Sequence, residues 1–402
     1  MKLLHIIASA DPTGGGPIEG VLRGGEVLAA RGHEQHLLTL DAPGSVPAVI
    51  NAATRVHALG RAAAAGKGPI ARARRWLRYS PEALAWARAH VGAYDAVLVH
   101  GLWNYATRIA RLVLADGRTP YLVYTHGMLD PWFRRTYPVK HAVKQALWPF
   151  NEGVLLARAD AVAFTAAEEA RLAARSFRPY RVRGRVVAYG TADAPPASPA
   201  QARAFQRAAP GLRGRPFLLF LSRIHAKKGC DMLIEAFAQV AAGDLQLVIA
   251  GPDQSGLRPA LQRRADALGI GDRLHWPGML TGDAKWGAYR GAEAFVLPSH
   301  QENFGIAVAE ALACALPVVI SNRINIWREV ADADAGLVGH DTVAATATML
   351  AAFAQADAAE RRAMGARGRA LFLQRYAMER VIDDLLALIG EVRGERGLVP
   401  FP

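Results

Sequence analysis

The chain has 402 residues, 51% of them apolar, with 48 Lys and Arg against 35 Asp and Glu. That length suits two domains of ordinary size, and no apolar run approaches the roughly 20 residues needed to cross a bilayer as a helix. The two cysteines, Cys230 and Cys314, have no C-x-x-C partner and no histidine cluster nearby, which excludes a disulfide framework and a zinc finger and points to a reducing, cytoplasmic setting.

The opening MKLLHIIASADP is too briefly apolar for a secretory signal and reads as a first strand. A glycine-rich turn, TGGGP (13–17), a helix from about Pro17 to Ala30 and the strand EQHLLTL complete a βαβ unit. Pro17 suits the first helical position, and the bare glycine backbone allows close approach to a phosphate or sugar. The turn lacks the glycine spacing of the dinucleotide fingerprint, which counts against a nicotinamide enzyme. AVLVHG (96–101), YLVYTHG (121–127) and AVAFT (161–165) continue as short apolar strands, with helical stretches such as Thr107–Ala115 between them. At 186–200 the composition turns to Pro, Ala and Ser, the mark of a linker. A second alternating series follows: strand FLLFLSRI, helix CDMLIEAFAQVA, strand LQLVIAGP, helix RPALQRRADALG, a strand or turn DRLHWPG, and strand AFVLPS. The tail AMERVIDDLLALIGEV is an amphipathic helix.

These patterns predict an α/β protein of two Rossmann-like domains whose parallel sheets face each other across a ligand-binding cleft. The expected boundaries are 1–190 for the N-terminal domain, 191–210 for a linker, 211–375 for the C-terminal domain, and 376–402 for a helix returning to the N-terminal domain.

The most informative segment is SHQENFGIAVAEALACALPV, residues 299–318. It sets Glu302 in a loop above a strand end and Glu310 more than a turn into the following helix, with an Asn-Phe-Gly turn between. Gly305 then sits at a helix N-terminus, where unpaired N–H groups and a partial positive charge suit a phosphate. Upstream, LSRIHAKKG places Arg223 and Lys228 directly after a strand. A guanidinium fork beside a point-charge ammonium makes a suitable clamp for a diphosphate.

The order strand, Pro-Ser, Glu302, Asn-Phe-Gly, helix, Glu310, Leu-Pro-Val-Val resembles the E-x7-E segment of retaining sugar-nucleotide glycosyltransferases of family 4, of the GT-B fold. The R-x4-K-G arrangement resembles the basic pair of the same family. The likeness covers most of the chain, strongest in 215–325 and weakest in 45–95. It implies transfer of a sugar from a GDP- or UDP-linked donor, with Arg223 and Lys228 on the pyrophosphate and Glu310 on the ribose hydroxyls. Glu302, with the backbone of Asn303, Phe304, Gly305 and Ile306, would face the donor sugar and distal phosphate. Gly251 would wall the nucleotide pocket, Met279 and Leu280 would meet the base, and Gly15 and Gly16 would approach the donor or acceptor. By the same resemblance His126 hydrogen-bonds the donor sugar near the reacting centre, and His126, Glu302, Arg223 and Lys228 form the catalytic set. In this family the departing phosphate takes the acceptor proton, so no metal and no other cofactor is expected. Two departures stand out. Ala315 replaces a common glycine, a change of little cost only if the backbone there is not left-handed, and Tyr189-Gly190 replaces an Asn-Gly pair.

The acceptor is expected on the basic first half, where 25 Lys and Arg stand against 14 Asp and Glu in residues 1–200, compared with 23 against 21 in 201–402. His100, Trp103 and Asp130 are the candidates for the acceptor side. ARARRWLRYS (71–80) and PWFRRTYPVKHAVKQALWPF (131–150) mix cations with aromatic rings, as a peripheral contact with an anionic membrane requires. A saccharide or lipid-linked saccharide acceptor at the inner membrane face matches both features, and the family resemblance implies bacterial surface or exopolysaccharide synthesis. The competing readings are a sugar-nucleotide epimerase on the same fold and a basic nucleic-acid-binding protein. No zinc-finger, RNP-type or KH-type signature supports the latter, and no nucleic-acid partner is expected.

Overall fold

The computed structural model describes residues 1–11, 16–51, 54–61, 78–114, 117–240 and 243–398. Gly15, the rest of the 13–15 turn and residues 71–77 of the first basic segment lie outside them. The chain divides into two compact units, Met1–Gly190 with Met378–Pro402, and Thr191–Ala377.

The first unit is built on one sheet of eight strands: β1 (Lys2–Ile6), β2 (Glu34–Thr39), β3 (Val49–Asn51), β4 (Thr54–Ala58), β5 (Ala96–His100), β6 (Tyr121–Tyr124), β7 (Ala161–Phe164) and β8 (Gly184–Val186), in the order β3-β4-β2-β1-β5-β6-β7-β8. Every pairing is parallel except that of the edge strand β3 on β4. Its central strands are buried on both faces, so they read as unbroken apolar runs such as AVLVH. The tail helix, Met378–Glu395, belongs here. Its buried positions Met378, Val381, Ile382, Leu385, Leu388, Ile389 and Val392 recur at helical spacing. All of these but Val381 join Leu3, Leu28 and Leu98 in one apolar cluster on the sheet.

In the second unit β9 (Phe217–Leu221), β10 (Gln246–Ala250), β11 (Leu274–Gly278), β12 (Ala294–Leu297), β13 (Val318–Ser321) and β14 (Gly336–Gly339) form a wholly parallel sheet in the order β11-β10-β9-β12-β13-β14. The chain lays β9, β10 and β11 outward in one direction, then returns to place β12 on the other flank of β9. That reversal makes β9 and β12 a topological switch point, where loops leaving the carboxyl ends diverge and leave room for a ligand.

The stretch expected as a linker, 191–210, is instead part of this unit. Its residues Pro199–Ala208 form a helix that packs on the helix Gly282–Gly291. A Cβ on Gly287 would stand 2.1 Å from the Gln201 carbonyl oxygen, so the glycine permits the close approach. Arg290 also donates to the Gln201 side chain over 3.1 Å. The Pro and Ala content that suggested a linker serves a helix start and a tight helix contact. Among the described residues no helix is long and apolar enough to cross a membrane.

Candidate functional site

The loops after β9, β10, β11 and β12 carry the residues singled out in the second unit. Lys228 lies in the turn after β9, buried, and its Nζ meets Glu302 Oε2, which follows β12. The two charges therefore touch across the switch point. Burial drives the Lys228 ammonium down, to about 7, with Lys227 and Arg223 adding to the fall. The Glu302 carboxylate in contact opposes this and holds the charge on the amine. Arg223 is exposed and makes no ion pair among the described residues. Lys227 is only half-buried, which separates it from Lys228.

Glu302 is stitched to the loop after β13: its N–H donates to the Arg323 carbonyl over 3.0 Å, and its carbonyl accepts from Asn325 over 3.1 Å. Asn325 also donates to Asn303 Oδ1 over 3.2 Å. Gly305 takes φ = 81° at the N-cap of the helix Ile306–Ala313, a left-handed value that suits glycine. Phe304 turns inward, 4% exposed and edge-on to Tyr376 with ring centroids 5.3 Å apart, so its ring is out of a ligand's reach.

Glu310, one turn further along, is buried and held from a different helix. Lys285 Nζ donates to its Oε1 over 2.6 Å and the Tyr289 hydroxyl to its Oε2 over 3.0 Å. Each oxygen keeps a lone pair, so the carboxylate remains able to accept from a vicinal diol. Neither Lys285 nor Tyr289 was singled out from sequence, since nothing in AKWGAYRG marks them as partners of a glutamate 20–25 residues on.

Gly251 closes β10 at φ = 141°, and a Cβ there would lie 1.8 Å from the Ser222 carbonyl oxygen. Its N–H donates to the Gly278 carbonyl over 2.8 Å, which brings the loop bearing Met279 alongside. The Met279 side chain is 69% exposed, while Leu280 is tucked in at 6%. The departure at Ala315 is resolved unfavourably: its φ is 54°, in the left-handed region.

In the first unit, Gly16 begins the helix Gly16–Ala30. The Tyr189 hydroxyl donates to the Gly16 carbonyl and accepts from the Gly20 N–H over 2.8 Å, so this tyrosine grips the helix start. His126 follows β6 at φ = 48°, a conformation imposed by a buried clamp. Glu169 accepts from Thr125 Oγ1 at 2.8 Å, from the Gly127 N–H at 2.6 Å and from the Thr165 N–H at 2.7 Å. Burial pushes the His126 imidazole down to about 4, so it is neutral near pH 7.

The residues expected on the acceptor side lie in three different settings. His100 is 6% exposed, and both its ring nitrogens are engaged, Nε2 with His5 at 2.9 Å and Nδ1 with His126 at 3.0 Å. Both of its ring nitrogens are thus taken by other histidines. Trp103 packs against Trp148 and Phe177, with Lys144 Nζ 4.6 Å above its ring. Asp130 accepts from the Trp132 N–H over 2.8 Å and so shapes the entry to the helix Trp132–Thr136. His5 went unnoticed in sequence, although a histidine inside the apolar strand LLHII was a visible irregularity.

A model of the family described as glycosyl transferases group 1 matches residues 202–371, and a glycosyl transferase 4-like domain matches residues 15–190. A D-inositol 3-phosphate glycosyltransferase of Nocardia farcinica is 30% identical over 321 residues, 77% of this chain and 70% of the relative. The chain belongs to the group 1 glycosyltransferases.

A relative of the same name from Salinispora tropica is 36% identical over 187 residues, but the match spans only 38% of its length and 44% of this chain. Among solved structures, the sucrose-phosphate synthase of Thermosynechococcus elongatus aligns with a TM-score of 0.77 at 22% identity, covering 98% of this chain and 99% of that one. Anabaena Alr3699/HepE, crystallised with UDP and glucose, aligns at 0.72 and 16% identity over 97% of this chain and all of its own. These likenesses establish the fold of this glycosyltransferase as GT-B, two α/β units each on a mainly parallel sheet.

Proposed function

We propose that this glycosyltransferase moves a sugar, with retention of configuration, from a nucleoside diphosphate sugar bound at the carboxyl edge of the β9–β14 sheet. The observation that carries the reading is the contact of Lys228 with Glu302 across the switch point, with Arg223, exposed and in no ion pair among the described residues, in the same loop. Retention requires the acceptor oxygen to attack the face from which the diphosphate departs. Negative charge grows on that diphosphate as the glycosidic bond lengthens. Arg223, Lys228 and the first-turn N–H groups of the helix Ile306–Ala313 lie where such charge is met by preorganised positive dipoles and cations. The leaving phosphate then takes the acceptor proton, and no protein base and no metal is required. Glu310 takes the ribose diol, and His126 a sugar oxygen.

The UDP-bound structures of Alr3699/HepE support a UDP-linked donor. For the acceptor, the relatives named for D-inositol 3-phosphate point to an anionic sugar, and the excess of cations in the first half of the chain agrees. A lipid-linked saccharide of surface or exopolysaccharide synthesis presents the same negative charge. The helix Pro138–Leu147 favours the lipid-linked form. Val139, Val143 and Leu147, spaced four apart, are 79%, 57% and 55% exposed, and Phe150 beyond them is 72% exposed. Arg134, Arg135 and Lys140 are exposed alongside. Such a stripe lies in the headgroup region of an anionic leaflet with its cations on phosphates, at the cytoplasmic face, where free thiols such as Cys230 and Cys314 persist. Flotation with anionic vesicles at low salt, lost in Val143→Asp, is the expected result.

The donor reading is tested by thermal unfolding against a panel of nucleoside diphosphates. Ligand at a hundred times its Kd stabilises by about 2.7 kcal/mol, and Arg223→Ala should abolish that shift and lower turnover by roughly 10²–10³-fold. No stabilisation by any nucleoside diphosphate, or an equal shift in Arg223→Ala, refutes the assignment.

A further inference from the structure

Three histidines of the first unit form a continuous row. His5 on β1, His100 at the end of β5 and His126 after β6 stack with ring centroids 5.1 Å and 5.3 Å apart. They are joined end to end: His5 Nδ1 to His100 Nε2 at 2.9 Å, and His100 Nδ1 to His126 Nε2 at 3.0 Å. The sheet order β1-β5-β6 brings them side by side although they are 95 and 26 residues apart. The row flanks a cavity of about 50 Å³, lined by all three histidines, by Gln35, Tyr124 and Tyr189, and by apolar side chains such as Leu28, Leu98, Met378 and Leu385. His5 Nε2 and Gln35 Oε1 are both buried there without a hydrogen-bond partner among the described residues. The amide cannot be turned round, because Gln35 Nε2 donates to the Val21 carbonyl over 3.0 Å.

Neutral imidazole carries one N–H, and each of the two bonds needs one hydrogen. Only two arrangements satisfy the whole row. In the first, every ring is protonated at Nδ1, His5 turns a bare Nε2 to the cavity, and His126 presents Nδ1–H at the other end. In the second, every ring is protonated at Nε2, an N–H points into the cavity, and His126 presents a lone pair. What the cavity tolerates at His5 therefore decides what His126 offers.

The cavity favours the first arrangement. If dry, it leaves a buried N–H orphaned, a rarer and more costly defect than a bare acceptor. If a water occupies it, as the volume permits, the two unpartnered acceptors His5 Nε2 and Gln35 Oε1 use both water hydrogens in the first arrangement. In the second they use one, and Gln35 Oε1 is the one unpartnered acceptor left to take it.

We propose that His5, His100 and Gln35 are positioning residues that hold His126 in its Nδ1–H tautomer, making it an obligatory hydrogen-bond donor to an oxygen of the bound sugar. His126 is then unable to act as a base at that atom, and the acceptor proton must leave by another route, as transfer to the departing phosphate provides. This inference rests on the proposed role of His126 for its functional meaning, though not for its structural content.

Long-range ¹⁵N–¹H correlation spectra of the full chain labelled at histidine, near pH 7.5, read the tautomers directly. His5, His100 and His126 should each show a protonated Nδ1 and a bare Nε2, the reverse of the preference of free histidine. A protonated Nε2 on His126 in the wild type overturns the proposal. In His100→Ala, water enters the vacated space, the constraint on His126 is lifted, and an Nε2–H population should appear, with turnover lower by about tenfold or more. His126 remaining wholly Nδ1–H in that variant also overturns the proposal, because a merely structural His100 would alter stability and leave the tautomer alone. A tautomer change with turnover unaltered upholds the row and sinks the contact between His126 and the sugar. Should His100→Ala fail to fold, the wild-type spectrum decides alone.

Discussion

The histidine row makes the first unit sensitive to mild acid in a way that one substitution isolates. Burial lowers the His5 imidazole to about 3, against about 6.5 in an unfolded chain. A group whose pKa is lower in the folded state contributes stability that is fully present above the unfolded value and is lost as pH falls toward the folded one. Between pH 7 and pH 5 the unfolded chain binds a proton at this position while the folded chain does not, which removes about 2 kcal/mol. His126, lowered to about 4, and His100, driven well below its ordinary value by burial and by its two neighbours, act in the same direction. The three together set a ceiling of about 6 kcal/mol if they titrate independently. Other lowered histidines, such as His57, also respond in this range, so the wild-type slope alone is not diagnostic. His5→Leu removes a single titrating ring from an apolar strand. Its loss of stability between pH 7 and pH 5 should be smaller than that of the wild type by about 2 kcal/mol. Urea unfolding, followed by hydrogen exchange in peptides from β1 and β5, measures that difference for this unit. Equal losses in the two proteins would show that His5 takes a proton in the folded state, and the reasoning fails.

Three further outcomes are expected. Ala315→Gly relieves a left-handed alanine and should raise the stability of the second unit by about 1 kcal/mol, read as an upward shift of its Tm; no rise would mean the strain is absorbed elsewhere. Glu310→Gln, which removes a charged acceptor held by Lys285 and Tyr289, should weaken nucleoside diphosphate binding by about 1.5–3 kcal/mol in calorimetry. Unchanged affinity would detach Glu310 from the ribose. Turnover in the presence of EDTA should match turnover without it, and a loss restored by a divalent cation would overturn the purely cationic account of leaving-group stabilisation.

Much of the second unit is legible from the residues alone, for a physical reason. Parallel strands buried on both faces read as apolar runs, as FLLFL and QLVIA do, and each ends where a polar or glycine-bearing loop must begin. Arg223, Lys228 and Glu302 stand in those loops, so their placement follows from strand ends. The partners of Glu310 are not legible, since Lys285 and Tyr289 project from another helix and helix packing has no local sequence signature. The histidine row is hidden for a related reason: lateral neighbours in a sheet are set by strand order, and β1, β5 and β6 are far apart in the chain. His100 illustrates this, because a strand-end histidine reads as a lone ring until its flanking strands supply two more. The edge strands β3 and β8, and β4 beside the first, lack the apolar run of the centre and leave little trace.

Phe304 has a practical consequence for anyone scanning the donor loop by substitution. Its ring belongs to the interior, against Tyr376, while Glu302 and Asn303 before it are only half-buried. Truncating it will collapse the support beneath the loop and abolish activity as completely as removing a contact residue. Screens that rank positions by lost turnover will therefore score it as a recognition residue, whereas calorimetry of the empty protein will reveal a foundation giving way.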